Sequence, residues 1–150
     1  TMSQLPAFLT PDPGLNSGMM IVQVAAASLV SENKILSHPA VVDSIPTSAD
    51  KEDHVSMGVT AARKAATILS NLQKVLAMEL LCASQAISFL RPNKSSVPVE
   101  KAIEAIRKLV PVIEQDRAFH IDIEAILSLI CDGSLLREVR AEMGPLWSTK

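Results

Sequence analysis

Aromatic residues are scarce in this sequence: three phenylalanines, one tryptophan and no tyrosine occur among 150 residues. The absence of tyrosine removes the phenol as a candidate acid or base. Hydrophobic residues nevertheless make up 48% of the chain, so small aliphatic side chains must fill its core. Such a core suits closely packed helices better than a β-sandwich.

Cysteine and net charge are also low. Cys82 and Cys131 stand alone, outside any CxxC pairing, and both fall inside apolar helical patterns. We expect two buried free thiols and, because no signal-peptide pattern is present, a reducing, cytoplasmic location. The formal net charge is -2, with acidic and basic residues mixed along the chain. This argues against nucleic acid or an anionic membrane as a partner.

Familiar catalytic and metal-binding motifs are missing. The chain has no G-x-S-x-G elbow and no Walker or G-x-G-x-x-G phosphate loop. Glu52, Asp53 and His54 are adjacent, so on a helix their side chains would point in different directions and could not share a metal. Asp122, between His120 and Glu124 in a segment with a helical pattern, is expected to cap a helix instead. We expect no metal.

What the sequence does have is helical periodicity. From Asp50 to about Leu90 one glycine is the only interruption of a helical pattern. Apolar residues recur there every seven positions, as at the a and d sites of a heptad repeat. One series is Val55, Ala62, Leu69, Leu76, Ala83 and Leu90, and the other is Val59, Ala66, Leu80 and Ile87, with Gln73 in its middle slot.

The length of this helix has a consequence for assembly. Some forty residues of helix would span about 60 Å, whereas the radius of gyration expected for a chain of this size is only about 15 Å. Part of the apolar stripe is therefore expected to be buried by other chains or by a missing part of the same chain.

Shorter helices are predicted on both sides of the long one. The first covers about 17–36, with Ser17 as its N-cap and a buried face of Met20, Val24, Ala27 and Val30. After a turn at 91–98, the predicted elements are helices at 99–110, 121–131 and 134–142 and a fraying tail at 144–150. No strand pattern is present. The fold class is all-α: residues 1–150 form a single segment, a long-helix bundle with short C-terminal helices.

The stretch TSADKEDHVSMG, residues 47–58, concentrates charge at the start of the long helix. Asp50 suits the N-cap and Asp53 the first turn, where acids offset the helix dipole. Glu52 has no such specific explanation, since any acid would serve in its place. The local pattern therefore leaves the role of Glu52 open.

Several short segments of the sequence resemble segments typical of the histidine ammonia-lyase family. They are LNSG (15–18), SENK (31–34), HPA (38–40), VDS-P-TSA (42–49) and EDHVSMG (52–58). MSQLPAFL before them, and LAMELLCASQAISFLRP, EKA and DR....DIEA after them, extend the resemblance over nearly the whole chain. Within the wider aromatic amino-acid lyase superfamily, EDHVSM is similar to the histidine branch, because the phenylalanine and tyrosine branches typically carry an Asn-Gln-Asp pattern there.

The resemblance implies a reaction and an assembly. Members of the family eliminate ammonia from L-histidine to give trans-urocanate, a step of histidine catabolism. They use 4-methylidene-imidazol-5-one, an electrophile formed from the enzyme's own Ala-Ser-Gly. They are homotetramers around a central helical bundle, and several subunits contribute to each active site. The long helix of this chain would then belong to that bundle.

The resemblance also gives Glu52 a role as a substrate-binding residue. Glu52 matches the family glutamate that faces the imidazole ring of the substrate. A carboxylate there can accept the ring N–H and fix the orientation of the ring. His54, Ser56 and Asn33 lie in matching words, and we expect them to hold the loop that aims Glu52.

Two parts of the family pattern are absent. The chain contains no Ala-Ser-Gly and, having no tyrosine, none of the family's catalytic tyrosines. It resembles only the C-terminal third of such a lyase, so we expect no lyase activity from this chain alone. Two alternatives stay open: a related ammonia-lyase or aminomutase for another aromatic amino acid, or a non-catalytic helical assembly module.

Overall fold

Helices dominate the computed structural model, which describes residues 4–42 and 44–143. After a short 3-10 turn at Ala7–Leu9, the described helices are α1 (Met20–Leu36), α2 (Gly58–Phe89), α3 (Val97–Arg107), α4 (Phe119–Cys131) and α5 (Ser134–Ala141). Two short antiparallel strands, β1 (Pro46–Thr47) and β2 (Glu52–Asp53), form a hairpin before α2. The predicted all-α class is confirmed. The prediction of a fraying tail at 144–150 lies outside the described residues.

Helix α2 is the scaffold of the fold, because α1 and α4 both pack along it while α3 packs on α5. Its 32 residues correspond to a length of about 48 Å. The buried hydrophobic cluster draws on α1, α2, α3, α4 and the α3–α4 connection. Its members are Met19, Val22, Ala77, Met78, Leu81, Ile106, Val110, Ile113 and Ile126.

The heptad stripe of α2 lies mostly outside this core. Val59, Leu69 and Leu76 are 69%, 56% and 40% exposed. The buried residues of the helix are Asn71, Ala77, Met78, Leu81, Ser84 and Gln85. Contacts within the chain thus use another face of α2, and the apolar stripe is left open to a further chain or a further part of the protein.

Helix α1 also buries a face other than the predicted one. Met20, Val24 and Val30 are exposed, whereas Val22 is buried and Ala25, Ala26 and Leu29 pack against the core. Both sets recur with helical spacing in an alanine-rich helix, so the periodicity could not choose between two apolar faces. The predicted buried face is therefore wrong for this chain.

The cap at the start of α1 comes from a distant residue. Ser17 is not the N-cap, which is Met19 without a side-chain cap bond. Instead the backbone N–H groups of Ser17 and Gly18 donate to the Asp116 carboxylate, at 2.7 and 2.9 Å. Asp116 lies on the α3–α4 connection, so the carboxylate satisfies free amides at the N-terminal end of α1 and holds the two segments together.

Helix α2 begins at Gly58 rather than at Asp50. Asp50 lies in the hairpin loop with φ of 62°, and Met57 is the N-cap with φ of 59°. Asp53 pairs with Pro46 across the hairpin. The predicted roles of Asp50 as a cap and Asp53 as a first-turn acid are wrong, because left-handed backbone and strand pairing replace the first turns of the predicted helix.

Asp122 does not cap α4, contrary to the prediction. It lies in the first turn of the helix, 7% exposed, and accepts a hydrogen bond of 2.8 Å from Nε of Arg117. Arg117 also donates to the carbonyl of Pro111 at 3.0 Å. The guanidinium compensates the burial of the carboxylate and ties α4 to the connection before it.

The two cysteines differ in exposure. Cys82 is half-buried and Cys131 is exposed at the end of α4, so the prediction of two buried thiols is wrong for Cys131. Burial, together with the negative charge of Glu79, raises the pKa of the Cys82 thiol. Cys82 is thus kept in its unreactive protonated form.

By length and composition alone, α2 could cross a membrane. That is weak evidence, because a core helix of a soluble protein passes the same test. Here one face of α2 carries the core, and Arg63, Lys64, Lys74 and Glu79 are distributed along it. The absence of a membrane partner stays a prediction.

Gln85, fully buried on α2, joins three parts of the chain. Its Nε2 donates to the carbonyl of Ile113 at 2.7 Å and to that of Leu9 at 3.4 Å. Its Oε1 accepts from the backbone N–H of Ile113 at 3.0 Å. Both ends of the amide are therefore paired inside the core, which holds the α3–α4 connection and the N-terminal segment against α2.

Replacing Gln85 with methionine should lower the free energy of unfolding by about 2–4 kcal/mol, because the N–H and C=O of Ile113 lose their partners in a buried site. Chemical denaturation followed by circular dichroism measures this loss. The matched control is Gln73→Met on the same helix: Gln73 is half-buried, and its side chain makes no hydrogen bond within the described residues. Equal losses in the two variants would contradict the role given to Gln85.

An ion pair closes the turn between α2 and α3. Arg91 donates to both carboxylate oxygens of Glu100, at 3.0 and 2.7 Å, and the backbone N–H of Ser95 donates to one of them at 2.7 Å. The hydrogen bonds from Arg91, and then the one from Ser95, lower the pKa of Glu100 to about 2. The folded state therefore favours the ionised carboxylate.

This ion pair should give the stability a defined pH dependence. The folded pKa lies below the unfolded value of 4.5, so the contribution is complete above that value and is lost as the pH falls towards about 2. The difference in unfolding free energy between the unmodified chain and Glu100→Gln should shrink over that window in denaturation experiments. Arg91→Gln should behave in the same way, and a difference independent of pH in either variant would contradict the assignment.

Candidate functional site

Glu52 lies on a hairpin and not on a helix. Thr47 is opposite Glu52 and Pro46 is opposite Asp53 in the antiparallel register. The backbone N–H of His54 donates to the carbonyl of Ile45 at 2.8 Å, which extends the pairing beyond the strands. The hairpin presents the Glu52 side chain to solvent just before α2 begins.

The loop of this hairpin has an unusual backbone. Ser48, Ala49 and Asp50 have φ values of 52°, 55° and 62°, a left-handed conformation that costs about 1–2 kcal/mol per non-glycine residue. The N–H of Lys51 donates to the carbonyls of Thr47 and Ser48, at 3.2 and 3.3 Å. Strained backbone of this kind is concentrated at functional sites in proteins generally. Here the left-handed loop reverses the direction of the chain, so that the Ser48 side chain comes within hydrogen-bonding distance of the Glu52 carboxylate.

Two hydroxyl groups hold Glu52. Ser48 Oγ donates to Oε2 of Glu52 at 3.2 Å, and Thr47 Oγ1 donates to its backbone carbonyl, also at 3.2 Å. Oε1 of Glu52 has no hydrogen-bond partner among the described residues. One carboxylate oxygen is therefore held within the chain, and the other can accept a hydrogen bond from a ligand.

A shallow cavity of about 560 Å³ borders the hairpin. Its lining comprises Val41, Ser44, Asp53, Val55 and Ser56. All five come from the segment between α1 and α2, and Glu52 is not among them.

His54, Ser56 and Asn33, which were expected to hold the loop that aims Glu52, lie in different places. His54 contributes a backbone hydrogen bond to the hairpin, and Ser56 lines the adjacent cavity. Asn33 instead accepts from Nδ2 of buried Asn71 at 3.0 Å, beside Glu32 at 2.6 Å. Asn33 thus joins α1 to α2 and makes no hydrogen bond to the hairpin within the described residues.

The HPA segment is anchored to α2, because Lys64 Nζ donates to the backbone carbonyl of His38. No group of three or more His, Cys, Asp or Glu side chains in the described ranges could hold a metal ion. The absence of a metal from the function stays a prediction. Sequence reasoning missed Ser48 and Thr47, although both lie in the TSA word that precedes Glu52.

The fold places the chain among proteins of known structure. It is similar to the histidine ammonia-lyase of Trypanosoma cruzi, with a TM-score of 0.87 and 41% identity over 97% of this chain and 31% of that one. It is also similar to the tyrosine aminomutase of Streptomyces globisporus, with a TM-score of 0.85 and 40% identity over 96% of this chain and 28% of that one. The class is thus that of helical ammonia-lyases and aminomutases.

Sequence comparison narrows this class to a family. The chain is 54% identical over 145 residues to the histidine ammonia-lyase of Symbiobacterium thermophilum, covering 97% of this chain and 29% of the relative. It is 53% identical over 138 residues to that of Caenorhabditis elegans, covering 92% and 20%. The family model for aromatic amino acid lyase matches residues 1–108. The chain therefore belongs to the aromatic amino acid lyase family, and the resemblance to its histidine branch is confirmed. It spans less than a third of the length of these relatives.

Proposed function

We propose that this chain is the C-terminal portion of a histidine ammonia-lyase, which converts L-histidine to trans-urocanate and ammonia without oxidation. Its similarity to histidine ammonia-lyases supports the family of reactions. The observation that supports histidine as the substrate is the exposed carboxylate of Glu52. One of its oxygens accepts a hydrogen bond from Ser48, and the other is free to accept one from a ligand. The two free cysteines support a reducing, cytoplasmic location.

The reactive group of the complete enzyme would be 4-methylidene-imidazol-5-one, which supplies an electrophile for the substrate. It would come from outside this chain, because no Ala-Ser-Gly occurs among its 150 residues. The described hairpin fits the other side of such a site: Glu52 offers a carboxylate acceptor, and a cavity lined by Val41, Ser44, Asp53, Val55 and Ser56 lies beside it. The role of this chain is therefore to bind and orient.

Glu52 would bind the imidazole ring. Its free Oε1 accepts the ring N–H, while Ser48 holds the other carboxylate oxygen. Fixing the ring in this way sets the position of the amino acid relative to the electrophile, an entropic contribution to catalysis. The same carboxylate can exchange a proton with the ring nitrogen as elimination proceeds. The phenylalanine ring has no hydrogen-bond donor to offer, so Glu52 favours histidine over phenylalanine.

Changing Glu52 to Gln in the complete enzyme should lower kcat/KM for L-histidine by about 10²-fold or more, because the acceptor loses its charge. The melting temperature should change little, since the side chain is exposed. The rise of urocanate absorbance measures the first effect and calorimetry the second. Asp50→Asn, in the same exposed loop, is the control and should retain activity. Parallel losses of activity and melting temperature in the Glu52 variant would point to a structural role instead.

The substrate preference separates this proposal from its nearest alternative. A related lyase or aminomutase for another aromatic amino acid would share the fold, as the tyrosine aminomutase neighbour does. Assays of the complete enzyme with histidine, tyrosine and phenylalanine decide between the two, and turnover of tyrosine or phenylalanine in preference to histidine would overturn the histidine assignment.

The proposed enzyme is a homotetramer, and the open apolar faces of the chain support assembly. The accessible surface of 10337 Å² compares with about 7,400 Å² expected for a compact monomer of this mass. Large exposed side chains on α1 and α2 include Ile21, Val24, Ile35, Val59, Leu69 and Leu72. Faces of this kind are typical of obligate interfaces.

The isolated chain should form no urocanate from L-histidine, because it lacks the electrophile and any tyrosine. The absorbance assay tests this, with the complete enzyme as the positive control. Turnover by the isolated chain would contradict the proposal. The remaining alternative, a non-catalytic assembly module, requires that no other part of the natural protein contain Ala-Ser-Gly, which the mass and full sequence of that protein would show.

A further inference from the structure

The hairpin contains a second side chain that acts on the candidate site through Glu52. We infer that Ser48 is a positioning residue that aims the Glu52 carboxylate at the substrate ring. This inference rests on the proposed function of Glu52. It concerns a residue for which spacing and periodicity suggested no role.

The first argument is the geometry of the contact. Ser48 Oγ donates to Oε2 of Glu52 at 3.2 Å across the loop. A glutamate side chain on an exposed strand has several rotatable bonds, and a hydrogen bond to one oxygen restricts them. Oε1, which has no hydrogen-bond partner in the described part of the chain, can then accept from a ligand.

The second argument is the backbone that makes the contact possible. Ser48 is the first of three consecutive non-glycine residues with φ near 55°. Glycine would adopt this conformation without strain, but it carries no hydroxyl. The strained turn thus carries a serine rather than a glycine at the position whose side chain reaches the Glu52 carboxylate, and backbone of this kind is concentrated at functional sites in general.

The third argument is that the strand pairing does not itself hold the carboxylate. Thr47 Oγ1 and the backbone hydrogen bond between His54 and Ile45 hold the main chain of the hairpin. The described residues offer the carboxylate no hydrogen-bond donor other than Ser48. Removing the Ser48 hydroxyl should therefore release the Glu52 side chain while the hairpin remains formed.

The test compares three variants of the complete enzyme. Ser48→Ala and Ser48→Gly both remove the hydroxyl, and each should lower kcat/KM for L-histidine about tenfold, the effect expected when a hydrogen bond to a charged group is lost. Ser48→Gly should do so without lowering the melting temperature, because glycine relieves the strain. Ala49→Gly changes the same turn but keeps the hydroxyl, and it should retain full activity. Activity that follows the melting temperature across the three variants would overturn the inference.

A double-mutant cycle with Glu52→Gln separates this inference from the proposed function. If Ser48 acts through Glu52, adding Ser48→Ala to the Glu52→Gln enzyme should lower kcat/KM by less than twofold further. A second full tenfold loss would mean that Ser48 acts independently and would overturn the positioning role, while leaving the role of Glu52 intact. An undiminished kcat/KM in Glu52→Gln alone would instead refute the proposed function and the inference together.

Discussion

The buried amide of Gln85 is the interaction on which the rest of the fold depends. The buried face of α2 mixes apolar and polar side chains, and among the polar ones the amide of Gln85 bonds to both the N–H and the carbonyl of Ile113. Hydrophobic contacts alone would allow a segment to shift along a helix. A buried side-chain amide that pairs with both backbone groups of one residue allows only one position of that segment. Gln85 therefore sets where the α3–α4 connection lies against α2, and that connection carries Asp116, which binds the start of α1.

The opposite end of α2 follows a different logic. Packing dominates around Gln85, whereas the hairpin before Gly58 is exposed and is held by short hydrogen-bonded links and a strained left-handed loop. An exposed, internally held loop can present Glu52 to another part of the protein. The open apolar faces of α1 and α2 fit the same arrangement, because they too leave surface that another part of the protein or another chain can cover.

Much of this architecture could be predicted from residues close together in sequence. The predicted helix at 17–36 corresponds to Met20–Leu36, and the one at 121–131 to Phe119–Cys131. The predictions failed where a specific side-chain or strand contact replaced the role that the residue type favours. Aspartate favours the N-cap position, as predicted for Asp50, but the pairing of β1 with β2 moves the start of the helix to Gly58. Asp122 is also of a residue type that favours a cap, but its carboxylate accepts a hydrogen bond from Arg117 instead.

The sequence by itself determined the all-α class, the approximate helix bounds and the family, because periodicity and the wording of short segments are properties of neighbouring residues. It also singled out Glu52, because that residue lies in the EDHVSMG segment that resembles the family. Only the tertiary structure decided which face of α1 and α2 is buried, since both helices are apolar on more than one side. Only the tertiary structure brought Ser48 onto Glu52, because that contact depends on a strained turn and a strand pairing that no local propensity favours.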